Sequence, residues 1–192
     1  MKALSGRLYE RDPSVVAEKL LGKRLIRKLN KEILEGIVVE TEAYYGLDDP
    51  ASRARHGLKN YNRLMWSEPG RAFIYNVHNN WMFNIIAHEP NEVGGVLIRA
   101  IEPTKGIDLM KRNRKVENLH DLTNGPGKLT KALKIDKGFN GVFVTSEESQ
   151  IFIADNKMKI EIGRSHRIGV KRDLPTDLRF FIEGNQFVSK AL

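Results

Sequence analysis

Residues 36–46, Gly-Ile-Val-Val-Glu-Thr-Glu-Ala-Tyr-Tyr-Gly, constrain the fold of this chain more than any other segment. The run is rich in β-branched and aromatic residues and bounded by glycine at both ends, the pattern of a strand. Alternate side chains of a strand share a face and lie about 6.6–6.8 Å apart along it. Val38, Glu40, Glu42 and Tyr44 then fall on one side, and Ile37, Val39, Thr41 and Ala43 on the other. The second side is small or aliphatic and reads as the core face. The first carries two carboxylates and an aromatic ring, and is expected to look toward a cleft or solvent.

The elements around this strand follow from local signals. Asp12-Pro13 opens a short helix that Gly22 ends. Residues 24–29 and 33–44 read as two strands about a turn at Asn30-Lys31. Gly46 to Gly70 is loop-like, poor in aliphatics, and carries Arg53, Arg55, Lys59 and Arg63, with Arg71 flanking it. A long irregular segment of this kind is usually functional or disordered. Strands are expected at 72–77, 81–87 and 95–101, a helix at 104–114, and a second basic helix from Gly127 to Ile135 behind Asn124-Gly125-Pro126. Short strands fill 142–188, with turns at Asp155-Asn156 and Gly184-Asn185. Strands interrupted irregularly by helices predict an α+β fold in a single domain over residues 1–192, with no linker dividing it.

Two carboxylates two residues apart on a strand admit three readings. They are a solvated face, a general acid/base pair for glycosyl chemistry, or one catalytic base with a structural neighbour. The surroundings favour chemistry: Tyr44 offers an aromatic plate, and an Arg/Asn-rich loop follows at once. An acid, a stacking surface and cations together suit a reaction at a base-bearing sugar. Composition narrows this further. The 192 residues carry 32 Lys+Arg against 24 Asp+Glu, a net charge of +8, which leans toward a polyanionic partner. Cysteine is absent, which excludes a disulfide framework, a Cys-bound zinc or iron–sulfur site and a thiol nucleophile. No His-x-x-x-His or carboxylate cluster supports a metal. No apolar run approaches the roughly 20 residues of a membrane span, and the first residues lack a signal-peptide core. An intracellular, DNA-accessible location is the expectation.

The sequence resembles the alkyladenine (3-methyladenine) DNA glycosylase family over nearly its whole length. The likeness is carried by Val39-Glu40-Thr41-Glu42-Ala43-Tyr44, Asn62-Arg63-Leu64-Met65-Trp66, Pro69-Gly70, residues 96–103 (VLIRAIEP), residues 122–129 (LTNGPGKL), Arg167-Ile168-Gly169-Val170 and Arg179-Phe180-Phe181. Any one of these is weak; all in order, with compatible spacing, are specific. The resemblance implies a curved, mostly antiparallel sheet surrounded by helices, with a basic face for duplex DNA. It implies a monofunctional hydrolase that flips a damaged purine out of the duplex and leaves an abasic site. Neither a cofactor nor an obligatory protein partner is implied, and the expected state is a monomer.

Residue by residue, Glu42 matches the general base and Arg99 an arginine that helps hold the nucleotide and water. An arginine in a buried strand needs an anionic partner, and Glu102 is the local alternative to such a role. Glu40 inherits no role and is treated as structural, though its charge can also push the Glu42 pKa up. Tyr44 and Tyr75 match the plates that sandwich the flipped base, and Asn84 a purine filter on the pocket floor. Two departures stand out. Where the family usually has a histidine against the base, Asp49-Pro50-Ala51-Ser52-Arg53 places Arg53, a permanent cation able either to stack or to repel a cationic base; His56 is a possible substitute. Where the family usually has a tyrosine-glycine wedge, residues 75–81 read YNVHNNW. Asn79-Asn80 is then the expected hairpin tip, with His78 and Asn79 the wedge candidates. Phosphate grip is expected from residues 53–71 and from 105–137, where nine Lys/Arg face four acids. The N–H groups at Asn124 to Lys128 add to it, in a segment that lacks the full nucleotide phosphate-loop pattern. The rival readings are a catalytically silent DNA- or RNA-binding module of the same fold, and a nucleoside or glycoside hydrolase using Glu40 and Glu42.

Overall fold

The structure is a computed structural model and describes residues 2–189. The acidic segment is the central strand of one antiparallel sheet. β2 (Glu32–Tyr44) pairs along one edge with β5 (Gly95–Lys105). Along the other it pairs with β1 (Arg24–Leu29) through Ile37, then with β8 (Arg179–Ile182) at Glu40–Glu42. The sheet continues on the β5 side through β4 (Asn80–Ile86) to β3 (Ala72–Val77), and on the β1 side to β6 (Ile151–Ala154). β7 (Ile162–Ser165) pairs with β8. With helices α1 (Pro13–Leu20), α2 (Ile107–Arg114) and α3 (Pro126–Ala132), this is an α+β fold with a curled antiparallel sheet.

The acidic face of β2 is not solvated. Leu34 to Ala43 are all buried, including Glu40 and Glu42 at 0% exposure. Register against β5 also slips on both sides of Glu40, so strict alternation stops there. Val38 and Val39 both lie fully buried in the main apolar cluster. The α1 helix covers one face of β2. Its start is fixed by Asp12, whose carboxylate accepts from Ser14 N at 2.8 Å and Val15 N at 3.4 Å, and Pro13 sits in the first turn. Val16, Ala17 and Leu20 face the core, and Thr41 Oγ1 donates to the Ala17 carbonyl at 2.9 Å.

Of the boundaries that differ from expectation, two change a corner or a turn. The helix expected from residue 104 begins at Ile107, because β5 continues through Lys105 in register with Glu35 of β2. Gly106 makes the corner at φ +75°, where a Cβ would come 2.5 Å from the Leu34 side chain and 2.7 Å from the Ile33 carbonyl. The β3–β4 hairpin turns on His78 and Asn79, at φ 47° and 59°, rather than on Asn79-Asn80. Both central residues being left-handed is what a two-residue hairpin requires, and Val77 pairs with Asn80, the first residue of β4.

The stretch from 46 to 70 is a set of ordered turns with one 3₁₀ turn, Arg63–Trp66. Asn62, fully buried, organises it: its Nδ2 donates to the carbonyls of Arg53 and Gly57, and its Oδ1 accepts from Lys59 N. Beneath it Ala54, Met65, Phe73 and Ile86 form a small apolar cluster of their own. Among the described residues no helix is long and apolar enough to cross a membrane.

Candidate active site

The two carboxylates of β2 are met by arginines from the flanking strands. Glu40 Oε1 accepts from Arg99 Nε on β5 at 3.0 Å, Arg179 Nε on β8 at 2.6 Å and Ser189 Oγ at 2.8 Å. Its Oε2 accepts from Ser189 N at 2.8 Å. Four donors leave this carboxylate little capacity for chemistry, in keeping with a structural part for Glu40. Arg99 does not pair with Glu102, which instead accepts from Asn185 Nδ2 at 2.7 Å. The reason is register: Ala100 and Leu97 of β5 lie opposite Glu40 and Glu42, and set Arg99 beside both acids.

Glu42 is held differently. Oε1 accepts from Ile168 N at 2.7 Å and lies 3.2 Å from Arg99 Nη1. Oε2 accepts from the Tyr44 hydroxyl at 2.7 Å, its one hydrogen bond among the described residues, which leaves it able to take a proton. Burial pushes the Glu42 pKa above the ordinary glutamate value. Arg99, the Ile168 N–H and the Tyr44 hydroxyl oppose that rise, and Glu40 adds a smaller upward push. Burial acts to depress Arg99, but Glu42 and Glu40 outweigh it and raise the guanidinium above its usual value.

In front of this pair lies a cleft of about 830 Å³. Tyr44, Arg99 and Ile168 form its wall, with Glu42 bonded to all three from behind. Tyr75, Arg53 and His78 also line it. Tyr44 is braced on one side by Arg167, whose guanidinium lies 4.5 Å from the ring centroid. Arg167 is itself gripped by Asp49, at 2.6 and 2.7 Å with both side chains at 0% exposure, by Asp173, and by the Ala43 carbonyl. Burial acts against the Asp49 charge, yet hydrogen bonds from Arg167 and from backbone N–H groups hold its carboxyl below the usual range. Tyr75 carries the Arg53 guanidinium 4.4 Å from its ring centroid and leans on Phe73, with centroids 5.3 Å apart.

The remaining expected residues are placed unequally. Asn84 lines a separate inner cavity of only about 10 Å³ behind Tyr44, Arg53 and Tyr75, and its Nδ2 is taken by the Phe73 and Met82 carbonyls. His78 reaches the cleft; Asn79 is exposed at the hairpin tip and is not part of the cleft wall. His56 is exposed, bonded to Arg55 Nε, and also absent from the wall. Of the two basic regions, the first contributes Arg53 and Arg55 to the cleft, whereas residues 105–137 contribute Pro126. The helix opened by Pro126 packs on the hairpin instead, with Thr130 Oγ1 donating to the Trp81 carbonyl at 2.9 Å.

Several contributors went unassigned in the sequence. Arg167 and Arg179 stand in quoted motifs, and each is an arginine amid apolar or β-forming neighbours, a signal that a buried anion is near. Lys171 and Arg172, both exposed, line the cleft directly after the Ile168 strap. Ser189 gave no signal. A second cleft, about 660 Å³, is lined by Asp12, Asp48, Glu89 and Glu92 with no Lys or Arg, the wrong sign for a phosphate backbone. Among the described residues no group of three His, Cys, Asp or Glu side chains converges to hold a metal ion.

Comparison with known proteins gives the family. The model of the methylpurine-DNA glycosylase family matches residues 7–186. A protein of Aeropyrum pernix named "Putative 3-methyladenine DNA glycosylase" is 40% identical over 186 residues, covering 95% of this chain and 91% of its own length. Proteins with the same name from Mesorhizobium japonicum and Koribacter versatilis are 40% and 35% identical, over 93% and 94% of this chain and 86% and 90% of theirs. With a match that runs from the first turn to beyond the last strand, and so takes in every residue named around Glu40 and Glu42 but Ser189, this chain belongs to the methylpurine-DNA glycosylase family.

Proposed function

We propose that this protein is a monofunctional DNA glycosylase. It would flip an alkylated or deaminated purine (3-methyladenine, 7-methylguanine or hypoxanthine) out of duplex DNA, hydrolyse its N-glycosidic bond and leave an abasic site. The observation that carries the reading is Glu42: a buried carboxylate held by Arg99, a backbone N–H and a tyrosine hydroxyl, directly behind a cleft faced with two tyrosines.

The chemistry follows from those parts. As the C1′–N9 bond breaks, its electron pair goes to the purine and the sugar gains oxocarbenium character, which the Glu42 anion stabilises. A water between Glu42 and C1′ gives its proton to the carboxylate as it attacks. A base kept above the ordinary glutamate pKa is a better proton acceptor than a solvated one, and Arg99 beside it favours the ionised form. Tyr44 and Tyr75 offer stacking worth about 1–3 kcal/mol per base. His78, in the hairpin turn and at the cleft, would enter the gap left by the flipped nucleotide. Arg55, Lys171 and Arg172 line the cleft and would meet its phosphates. No cofactor enters this scheme, and the enzyme would work wherever the cell keeps its DNA.

A silent binding module is disfavoured by the same carboxylate, because a module that only holds a polyanion gains nothing from an acid kept against it. The test is direct. Duplex oligonucleotides carrying hypoxanthine or 7-methylguanine are incubated with the protein and abasic sites are cleaved with alkali. Strand cleavage at the lesion is the expected result; binding without cleavage of any lesion would establish the silent module instead.

A further inference from the structure

Arg53 stands against Tyr75, one of the two rings that would stack a flipped base. Its guanidinium lies 4.4 Å from the Tyr75 ring centroid, and it lines both the open cleft and the small inner cavity, as Tyr44 and Tyr75 do. Its backbone is pinned, since buried Asn62 donates to the Arg53 carbonyl at 2.8 Å. Among the described residues no carboxylate forms a salt bridge with it, and its charge remains available to whatever enters. A purine stacking at Tyr75 must lie against this cation or displace it.

We infer that Arg53 is a specificity-determining residue that favours neutral damaged purines, with hypoxanthine as the representative, over cationic alkylated ones. The inference rests on the glycosylase reading and names the substrate class of that same site. A purine alkylated at N3 or N7 carries a positive charge while attached to the sugar, and it meets Arg53 as a like charge. That charge drains from the base as the C1′–N9 bond breaks, so the repulsion is felt on binding and relieved in the transition state. A neutral purine behaves oppositely. The bonding pair leaves with it, the base becomes an anion that takes a proton from solvent, and a guanidinium a few ångströms away stabilises that charge as it develops. The penalty on a cationic lesion therefore appears in KM, and the gain on a neutral lesion in kcat.

The experiment compares Arg53→Gln, Arg53→His and Arg53→Lys with the unaltered protein. Each is assayed on matched duplexes carrying hypoxanthine or 7-methylguanine, and kcat and KM are read separately. In Arg53→Gln the hypoxanthine-to-7-methylguanine ratio of kcat/KM is expected to fall about tenfold, a charge effect at this separation discounted for the open cleft. KM and kcat for 7-methylguanine fall together, and kcat for hypoxanthine falls. Arg53→His, neutral at pH 8, follows Arg53→Gln, and Arg53→Lys keeps the original ratio. A ratio unchanged in Arg53→Gln while both lesions are still released overturns the inference and leaves the glycosylase reading intact. Release of neither lesion by the unaltered protein overturns that reading itself.

Discussion

At the scale of single residues, two glutamates separated by one position have been given different tasks by their partners. Glu40 accepts from two arginines and from the hydroxyl and N–H of Ser189, and is spent on holding β5, β8 and the chain end together. Glu42 keeps one lightly engaged oxygen next to the cleft wall. Losing a partner of Glu40 would leave buried charge uncompensated, which is costly, while the charge on Glu42 is adjusted by its neighbours. Tyr44 is the simplest handle on that adjustment. Its hydroxyl favours the ionised carboxylate, and its removal raises the Glu42 pKa further. The proposed base must be deprotonated to act, so the acid limb of the kcat/KM profile in Tyr44→Phe should move to higher pH, with the aromatic ring retained. The loss of rate is then severalfold on the acid side and small at high pH. A limb that stays put would mean that the tyrosine does not bond the catalytic carboxylate.

At the scale of elements, the β3–β4 hairpin joins the fold to the proposed flipping step. His78 and Asn79 take the left-handed conformations that its two-residue turn demands, although neither is glycine. His78→Gly relieves that strain and removes the wedge at once. Stability by urea denaturation should change by less than about 1 kcal/mol, since the relief is offset by a freer unfolded chain. Release of a lesion paired in duplex should fall about tenfold, and release from single strands should be unaffected. Equal losses on both substrates would remove His78 from the wedge role. The same hairpin marks where sequence reasoning loses reach. The strands of the centre are readable because β-branched runs and turn residues are local signals. The roles proposed for Glu42 and Arg99 rest on the family resemblance, since the strand alone leaves three readings of its carboxylates open. The choice of His78-Asn79 over Asn79-Asn80 depends on a one-residue register against β3, which no local signal specifies. Burial of the acidic face was hidden for a similar reason. It depends on Arg179 and Ser189, which reach Glu40 from positions 139 and 149 residues away along the chain. The start of α2 slipped from 104 to 107 because pairing with Glu35 outweighed local helix propensity.

At the scale of the whole molecule, the net charge of +8 lies outside the buried ion-pair cluster. There Arg99, Arg167 and Arg179 meet Glu40, Glu42, Asp49 and Asp173, three cations against four acids, and add nothing to the excess. Part of the excess faces the cleft, in Arg53, Arg55, Lys171 and Arg172. Binding to undamaged duplex should therefore weaken linearly in log salt, and Lys171→Gln with Arg172→Gln should flatten the slope by about 0.9 for each phosphate no longer neutralised. An unchanged slope would place the DNA backbone on another face. The proposed reaction turns on one carboxylate. Glu42→Gln is nearly isosteric: its amide oxygen can still accept from Ile168 and Arg99, and its amide N–H can donate to the Tyr44 hydroxyl oxygen. The decisive measurement is single-turnover release of hypoxanthine or 7-methylguanine from a duplex by this variant, alongside its affinity for the same duplex. With Glu42 as the base, the rate falls by about 10²–10⁴ while affinity stays within a few fold. Release at an undiminished rate would contradict that role and move the catalytic base elsewhere.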